Sequence, residues 1–131
     1  MKQQILQPWI IPNIDNNTTY NIEAIHDDYE GFRILIRSNN LTDKILRITF
    51  SNHLSYRNTD ESFLLKLWGH IDKETLGKTF YLVSNSTYID FFNESTENLY
   101  KEWKIIHYAI YTTSDCIDIL SDQPPIIEWL S

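Results

Sequence analysis

His107 and Cys116 are the first candidates for chemistry in this sequence. His107 lies in an apolar run beside Tyr108, where burial and neighbouring charges can perturb the pKa of a histidine. Cys116 follows after eight intervening residues, so a hairpin would make the strands of the two residues neighbours. Asp115 and Asp118 would disfavour the cysteine thiolate, which is the nucleophilic form. A histidine inside a strand is more often a hydrogen-bonded core residue, and that is our first interpretation of His107.

A small hydrolase or nuclease working around His107, Asp118 and Glu102 is the enzymatic alternative. Asp90, Glu102 and Lys104 follow the order of an acid–Glu-x-Lys nuclease core, in which acids hold magnesium and lysine stabilises the attacking water. Three residues of these types arise easily by chance. An acidic environment also repels a polyanionic substrate, so we place this alternative second.

Two histidine–acid pairs, His26 with Asp28 and His70 with Asp72, have the spacing of residues on one face of a strand. A metal site needs three or four converging ligands, and no His-x-x-x-His, Cys-x-x-Cys or acidic calcium loop supplies the others. The three glycines stand apart at positions 31, 69 and 77, so no glycine-rich phosphate loop is present. We therefore expect no metal and no cofactor.

The chain is acidic, with a formal net charge of −7, and residues 85–131 carry eight acidic and two basic side chains. Such a charge repels nucleic acids and anionic membranes and attracts basic proteins. Aromatic residues among these acids would anchor a protein partner, although each of them could instead fill the core. The predicted protein-binding residues are Tyr88, Asp90, Glu94, Glu97, Tyr100, Glu102, Trp103, Asp118, Asp122, Glu128 and Trp129.

Arginines on a predicted hairpin form a second candidate surface. From Phe32 to Phe50, apolar and polar residues alternate on both sides of a polar connection, which is typical of an antiparallel hairpin with one wet face. Arg33, Arg37 and Arg47 would share that wet face. A solvated face is the favoured interpretation, and anion binding is the alternative because clustered arginines bind carboxylate and phosphate well.

Other elements follow from changes in hydrophobic period. We predict helices over Thr59 to Trp68, with Thr59, Asp60 and Glu61 at its start, and over Ser86 to Ser95. The run from Lys104 to Thr112 is apolar at successive positions, which indicates a central strand covered on both faces. After Pro124 and Pro125, which we expect to end the sheet, Ile126 to Leu130 is predicted to be an apolar tail.

Length and composition favour one domain over residues 1–131. Nineteen isoleucines make the apolar content strongly β-branched, which suits strands. The predicted fold is therefore α+β, a mostly antiparallel sheet of about five or six strands with two short helices. A single cysteine excludes an internal disulfide, and no segment reaches the ~20 apolar residues of a membrane span, so we expect a cytoplasmic protein.

Several stretches resemble small bacterial proteins of mostly unassigned function, some of which are immunity proteins that neutralise toxins. These stretches are Gly77 to Ser86, His107 to Thr112, Asp118 to Ser121 and the Pro-Pro-x-x-x-Trp ending. The resemblance implies no catalytic residues, and no site residue is carried over from it. The leading hypothesis is a cytosolic binding protein, most concretely an immunity protein that occludes a basic toxin domain. A homo-oligomeric structural protein that uses Ile126 to Leu130 as its contact is a further alternative.

Overall fold

The structure, which is a computed structural model, describes residues 4–38, 44–60, 78–112 and 114–130. Those ranges contain nine strands and one helix. In chain order they are β1 (Ile5–Pro8), β2 (Tyr20–Asp28), β3 (Gly31–Ser38), β4 (Ile45–Phe50), β5 (His53–Asp60), β6 (Phe80–Ser84), α1 (Thr87–Ser95), β7 (Ile106–Tyr111), β8 (Asp115–Ser121) and β9 (Ile126–Leu130).

The strands form two antiparallel sheets rather than the one sheet that we predicted. A five-stranded sheet has the order β1-β6-β7-β8-β5, and a four-stranded sheet has the order β2-β3-β4-β9. The antiparallel, strand-rich character is confirmed. The number of sheets differs because alternation fixes which side of a strand is buried but not which strand becomes its neighbour.

The predicted hairpin is confirmed as β3 and β4, with Ile34 opposite Ile48. Alternate residues on both strands are buried, and the intervening residues are partly exposed. The turn from β2 into β3 uses Gly31 at φ 111°, a left-handed conformation that glycine adopts without a steric penalty. The buried apolar side chains of the hairpin are Phe32, Ile34, Ile36, Leu46, Ile48 and Phe50.

The main core lies between the two sheets, because both contribute buried side chains to one cluster. Ile34 and Ile48 come from the four-stranded sheet, and Tyr108, Ile110 and Ile119 come from the five-stranded sheet. Stacked sheets of this kind interdigitate their inward-facing residues. The molecule is therefore a sandwich with the hairpin on one side and β7 and β8 on the other.

The five-stranded sheet is covered by apolar side chains on its outer face as well. A second buried cluster lies there, made of Tyr81, Val83, Ala109, Tyr111 and Cys116. β7 lies in the middle of this sheet, and its residues from His107 onward are buried on both faces. The prediction of a central strand covered on both sides is confirmed.

The two predicted helices have different outcomes. The second is confirmed as α1, with Ser86 as its N-cap. The start of the first is wrong, because Thr59 and Asp60 are the last residues of β5, paired with β8. Local capping residues were outweighed there by tertiary strand pairing. The remainder of that predicted helix lies outside the described residues.

The segment from Ile126 to Leu130 is strand β9, paired with β4, rather than a tail beyond the sheet. Pro124 and Pro125 thus end the five-stranded sheet at β8, and the chain continues into the four-stranded sheet. No helix in the described ranges has the length and apolar character needed to cross a membrane.

Candidate functional site

A chain of hydrogen-bonded polar side chains lies within the apolar outer face of the five-stranded sheet. His107 Nε2 is 2.6 Å from Asp118 Oδ1, and His107 Nδ1 is 2.7 Å from Ser86 Oγ. The Tyr111 hydroxyl donates to Asp118 Oδ1 at 2.7 Å, and Arg57 Nε donates to Asp118 Oδ2 at 3.2 Å. We call these five residues the Asp118 network. Asp118 has no solvent exposure, so these partners, and not water, stabilise the negative charge of its carboxylate.

Strand register brings the Asp118 network together. Ala109 is directly opposite Asp118, so His107 and Tyr111 flank Asp118 diagonally on the same face of β7. On its other side, Asp118 is opposite Arg57 of β5. The small side chain of Ala109 leaves room for the flanking side chains to reach the carboxylate. Asp118 is thus enclosed by donors from both neighbouring strands.

The surroundings determine the ionisation of Asp118 and Tyr111. Burial by itself would raise the pKa of Asp118, but the hydrogen bond with His107, the hydrogen bond from Tyr111 and the charge of Arg57 hold that pKa below its usual value. Burial and the negative charge of Asp118 raise the pKa of the Tyr111 hydroxyl. Tyr111 therefore stays protonated and donates to a carboxylate that stays ionised.

Ser86 connects the network to the start of α1. Its Oγ accepts the backbone N–H of Ile89 at 3.0 Å, which is the N-cap interaction that satisfies an otherwise unpaired donor. We infer that His107 carries its proton on Nε2, because the ionised Asp118 can only accept. In the neutral ring, Nδ1 then accepts the hydroxyl proton of Ser86. The Ser86 hydroxyl thus donates to His107, and His107 in turn donates to Asp118.

The Asp118 network predicts a loss of stability in acid. Because the folded pKa of Asp118 lies below that of an unfolded aspartate, its stabilising contribution is complete above the unfolded pKa, about 4. The contribution is lost as the pH falls through the folded pKa. We expect urea unfolding between pH 2 and 6 to show a steeper fall in the wild type than in Asp118→Asn. Equal slopes below pH 4 would contradict this account.

The structure brings together two of the three residues of the predicted enzymatic site. His107 and Asp118 are in contact and buried, whereas Glu102 is exposed in the segment after α1. β7 and β8 are neighbours, as expected, but Cys116 is opposite Tyr111 and His107 is opposite Leu120. The two candidate residues for a cysteine–histidine pair are therefore offset along their strands.

An exposed apolar surface lies between α1 and the start of β7. Four of the eight large apolar side chains exposed in the described ranges lie here, with exposures between 42% and 73%. Exposed acids lie among them in the sequence. We call this set the α1 surface, and it consists of Phe91, Leu99, Trp103 and Ile106 with Asp90, Glu94, Glu97 and Glu102.

α1 carries both buried and exposed aromatic residues. Tyr88 is buried, and Phe92, one turn later, is partly buried on the same side. Phe91, three residues after Tyr88, also has a spacing that permits burial on this side, yet it is 64% exposed. Helical spacing in the sequence therefore does not distinguish Phe92 from Phe91, and the structure decides which of the two packs inward.

The remaining predicted protein-binding residues lie elsewhere. Tyr88 and Asp118 are buried and cannot contact a partner directly, which corrects their place in the predicted surface. Asp122 accepts a hydrogen bond from Asn52 in a surface turn. Glu128 and Trp129 lie on β9, in the other sheet. The acidic carboxy-terminal third is therefore not one continuous binding surface. Asp90 and Glu94 lie on α1, and Glu97, Tyr100, Glu102 and Trp103 lie in the segment that leads from α1 to β7.

Each arginine of the predicted anion-binding set has a carboxylate partner. Arg33 Nη2 is 2.7 Å from Asp28 Oδ2, and it also contacts Glu30 through Nη1. Arg37 pairs with Glu23. Arg47 pairs with Glu128 across the β4–β9 pairing. The solvated face that we favoured carries ion pairs, and an external anion would have to compete with these carboxylates.

Sequence reasoning singled out His107 and Asp118, but it did not connect Ser86 with them. No group of three or more histidine, cysteine or acidic residues in the described ranges could hold a metal ion. His70 and Asp72 lie outside those ranges, and Asp28 binds Arg33.

Comparison with protein-family models, with curated proteins and with solved structures gives no match for this chain.

Proposed function

We propose that this chain is a protein-binding module that takes a basic protein partner on the α1 surface. The observation that supports the proposal is the concentration of exposed apolar side chains among exposed carboxylates. Exposed apolar patches on soluble domains commonly mark interaction sites. The four acids outnumber the two lysines of the segment, Lys101 and Lys104, so charge complementarity favours a basic partner.

Trp103 is the residue that we expect to contribute most to affinity. Its ring meets Tyr100 edge-on at 4.8 Å between centroids, and Tyr100 in turn contacts Phe92 at 5.5 Å. A ring already held by its neighbours loses little conformational freedom on binding. Tryptophan is also enriched among the few interface residues that dominate binding energy. Trp103 therefore combines exposure with a fixed orientation.

In its most concrete form, the proposed partner is the basic domain of a bacterial toxin, which the chain neutralises by occlusion. The toxin as partner rests on the sequence resemblance to small bacterial proteins, some of which are immunity proteins. The α1 surface supports the broader class of basic protein partners. The mechanism would be steric cover with charge attraction during the encounter. Such attraction speeds association at low salt and weakens as salt screens the charges.

The test combines capture with reconstitution. Tagged wild-type protein and Trp103→Ala are used in parallel to capture partners at low salt from the native cells, and the eluted protein is identified by mass spectrometry. The purified partner is then titrated against each variant. We expect Trp103→Ala to weaken binding by about 30-fold, which corresponds to about 2 kcal/mol. Glu94→Lys should slow association, and added salt should slow it in the wild type.

Tyr29→Ala is the matched control, because Tyr29 is an exposed aromatic residue in the turn between β2 and β3. It should bind as tightly as the wild type. Equal affinity of Trp103→Ala and the wild type would contradict the proposal, as would an association rate that does not change with salt. Recovery of the tagged protein alone would also count against it.

A further inference from the structure

Thr87, the residue after Ser86, directs two hydrogen-bond donors at one carbonyl oxygen. Its backbone N–H donates to Gln4 Oε1 at 2.8 Å, and its hydroxyl donates to the same oxygen at 3.0 Å. Two fixed donors on one oxygen are what an oxyanion hole requires. In hydrolases with a serine on a strand-to-helix turn, the N–H of the residue after the nucleophile is one of these donors.

The backbone around Ser86 is such a turn. β6 ends at Ser84, Asn85 has φ of 54°, and α1 begins at Thr87. Asparagine enters this left-handed region more readily than most residues other than glycine, so it suits a tight turn between a strand and a helix. The turn places a serine hydroxyl at the amino end of a helix, next to backbone N–H groups.

Ser86, His107 and Asp118 have the connectivity of a nucleophile, a base and an orienting acid. Distances of 2.7 Å and 2.6 Å join them in series. Such a triad is recognised by geometry and roles rather than by chain order. Here His107 faces the serine with Nδ1 and the acid with Nε2. Imidazole can take up and release a proton at either nitrogen.

We propose that Ser86 is the nucleophile of an acyl-transfer site for carboxylic esters, with His107 as base and Thr87 as oxyanion donor. Ser86 Oγ attacks the ester carbonyl carbon while its proton passes to His107 Nδ1. The carbon–oxygen bond to the alcohol breaks, and the alcohol leaves with that proton. Water then attacks the acyl carbon and gives a proton to His107, which returns it to Ser86 as the carboxylic acid leaves.

Gln4 blocks the oxyanion donors in the resting structure. Ser86 is 3% exposed, but Asn85 and Thr87 on either side of it are exposed. The Gln4 amide oxygen occupies the position on Thr87 that the substrate carbonyl oxygen would take. Displacement of this side chain frees both donors at once. The site is therefore held closed by a contact within the chain itself.

The test is covalent labelling with a fluorophosphonate, a probe that reacts with activated serines. Incubation of the full-length protein should add one probe mass, and peptide mapping of the wild type should place it on Ser86. Gln4→Ala should label several times faster, because the donors are free. His107→Asn should label about 100-fold more slowly, the usual effect of removing a general base. Ser95→Ala, which removes a serine elsewhere on α1, should label like the wild type.

The same labelled samples also show whether Ser86 fails to act as a nucleophile. If excess probe labels neither the wild type nor Gln4→Ala, and circular dichroism shows both folded, then Ser86 is only a helix cap. A label on another residue would also overturn the proposal. If His107→Asn fails to fold, the wild-type peptide map and the comparison with Gln4→Ala decide without it. Turnover of p-nitrophenyl acetate that persists in Ser86→Ala would likewise exclude Ser86 as the nucleophile.

Discussion

Replacing Asp118 with alanine should lower the free energy of unfolding by about 3–5 kcal/mol, the usual loss when one partner of a buried charge network is removed. Asp118 is fully buried and accepts hydrogen bonds from Tyr111 and Arg57 in addition to its contact with His107. Without the carboxylate, the buried Tyr111 and His107 lose their acceptor, whereas the partly exposed Arg57 can turn to solvent. Urea unfolding followed by circular dichroism at pH 7 measures the change.

Asp115→Ala is the control for this prediction. Asp115 lies on the same strand, β8. Its carboxylate accepts a long hydrogen bond of 3.4 Å from the exposed Asn58. We expect its stability to change by less than about 0.5 kcal/mol, as for most surface substitutions. If Asp118→Ala were as stable as Asp115→Ala, the ionised Asp118 and its partners would not stabilise the fold as we expect.

Phe32→Ala should lower the free energy of unfolding by about 3–5 kcal/mol, the usual range for truncation of a buried phenylalanine. Phe32 is 1% exposed and joins the two sheets. It contacts Phe50 within its own sheet, and its ring centroid lies 4.4 Å from that of Tyr56 in the other sheet. Alanine would leave a cavity at the junction, and chemical denaturation would measure the loss.

Tyr29→Ala provides the comparison, because this aromatic residue is three positions before Phe32 and is 96% exposed. We expect it to retain wild-type stability within about 0.5 kcal/mol. The difference between the two variants isolates burial from the general effect of losing an aromatic ring. Similar losses in both would contradict the assignment of Phe32 to the core between the sheets.

Several elements could be predicted from the sequence because their signals are local. The alternation from Phe32 to Phe50 specified a hairpin and its buried face, and the structure has both. The apolar run around Tyr108 specified a strand buried on two sides. Ser86 and the spacing of Tyr88 and Phe92 specified α1. These signals act over a few residues, because the pattern of apolar residues repeats with the period at which a strand or a helix turns its side chains to one face.

The choice of partners came only from the tertiary structure. Thr59 has the side chain of a helix cap, yet pairing with Cys116 places it in a strand. Arg47 and Glu128 are 81 residues apart, and only the docking of β9 on β4 makes them neighbours. Alternation states that a strand has a buried face, but it does not state which strand is adjacent. The division into two sheets was therefore beyond sequence patterns.

The candidate sites divide in the same way. The sequence indicated an acidic, aromatic-rich carboxy-terminal third, and it grouped His107, Asp118 and Glu102 as an enzymatic alternative. Tertiary structure decided that Asp118 and Tyr88 are buried, and that Ser86 reaches His107. The physical reason is that burial and hydrogen-bond geometry depend on strand register. Register places Ala109 opposite Asp118, and with it His107 and Tyr111 on either side.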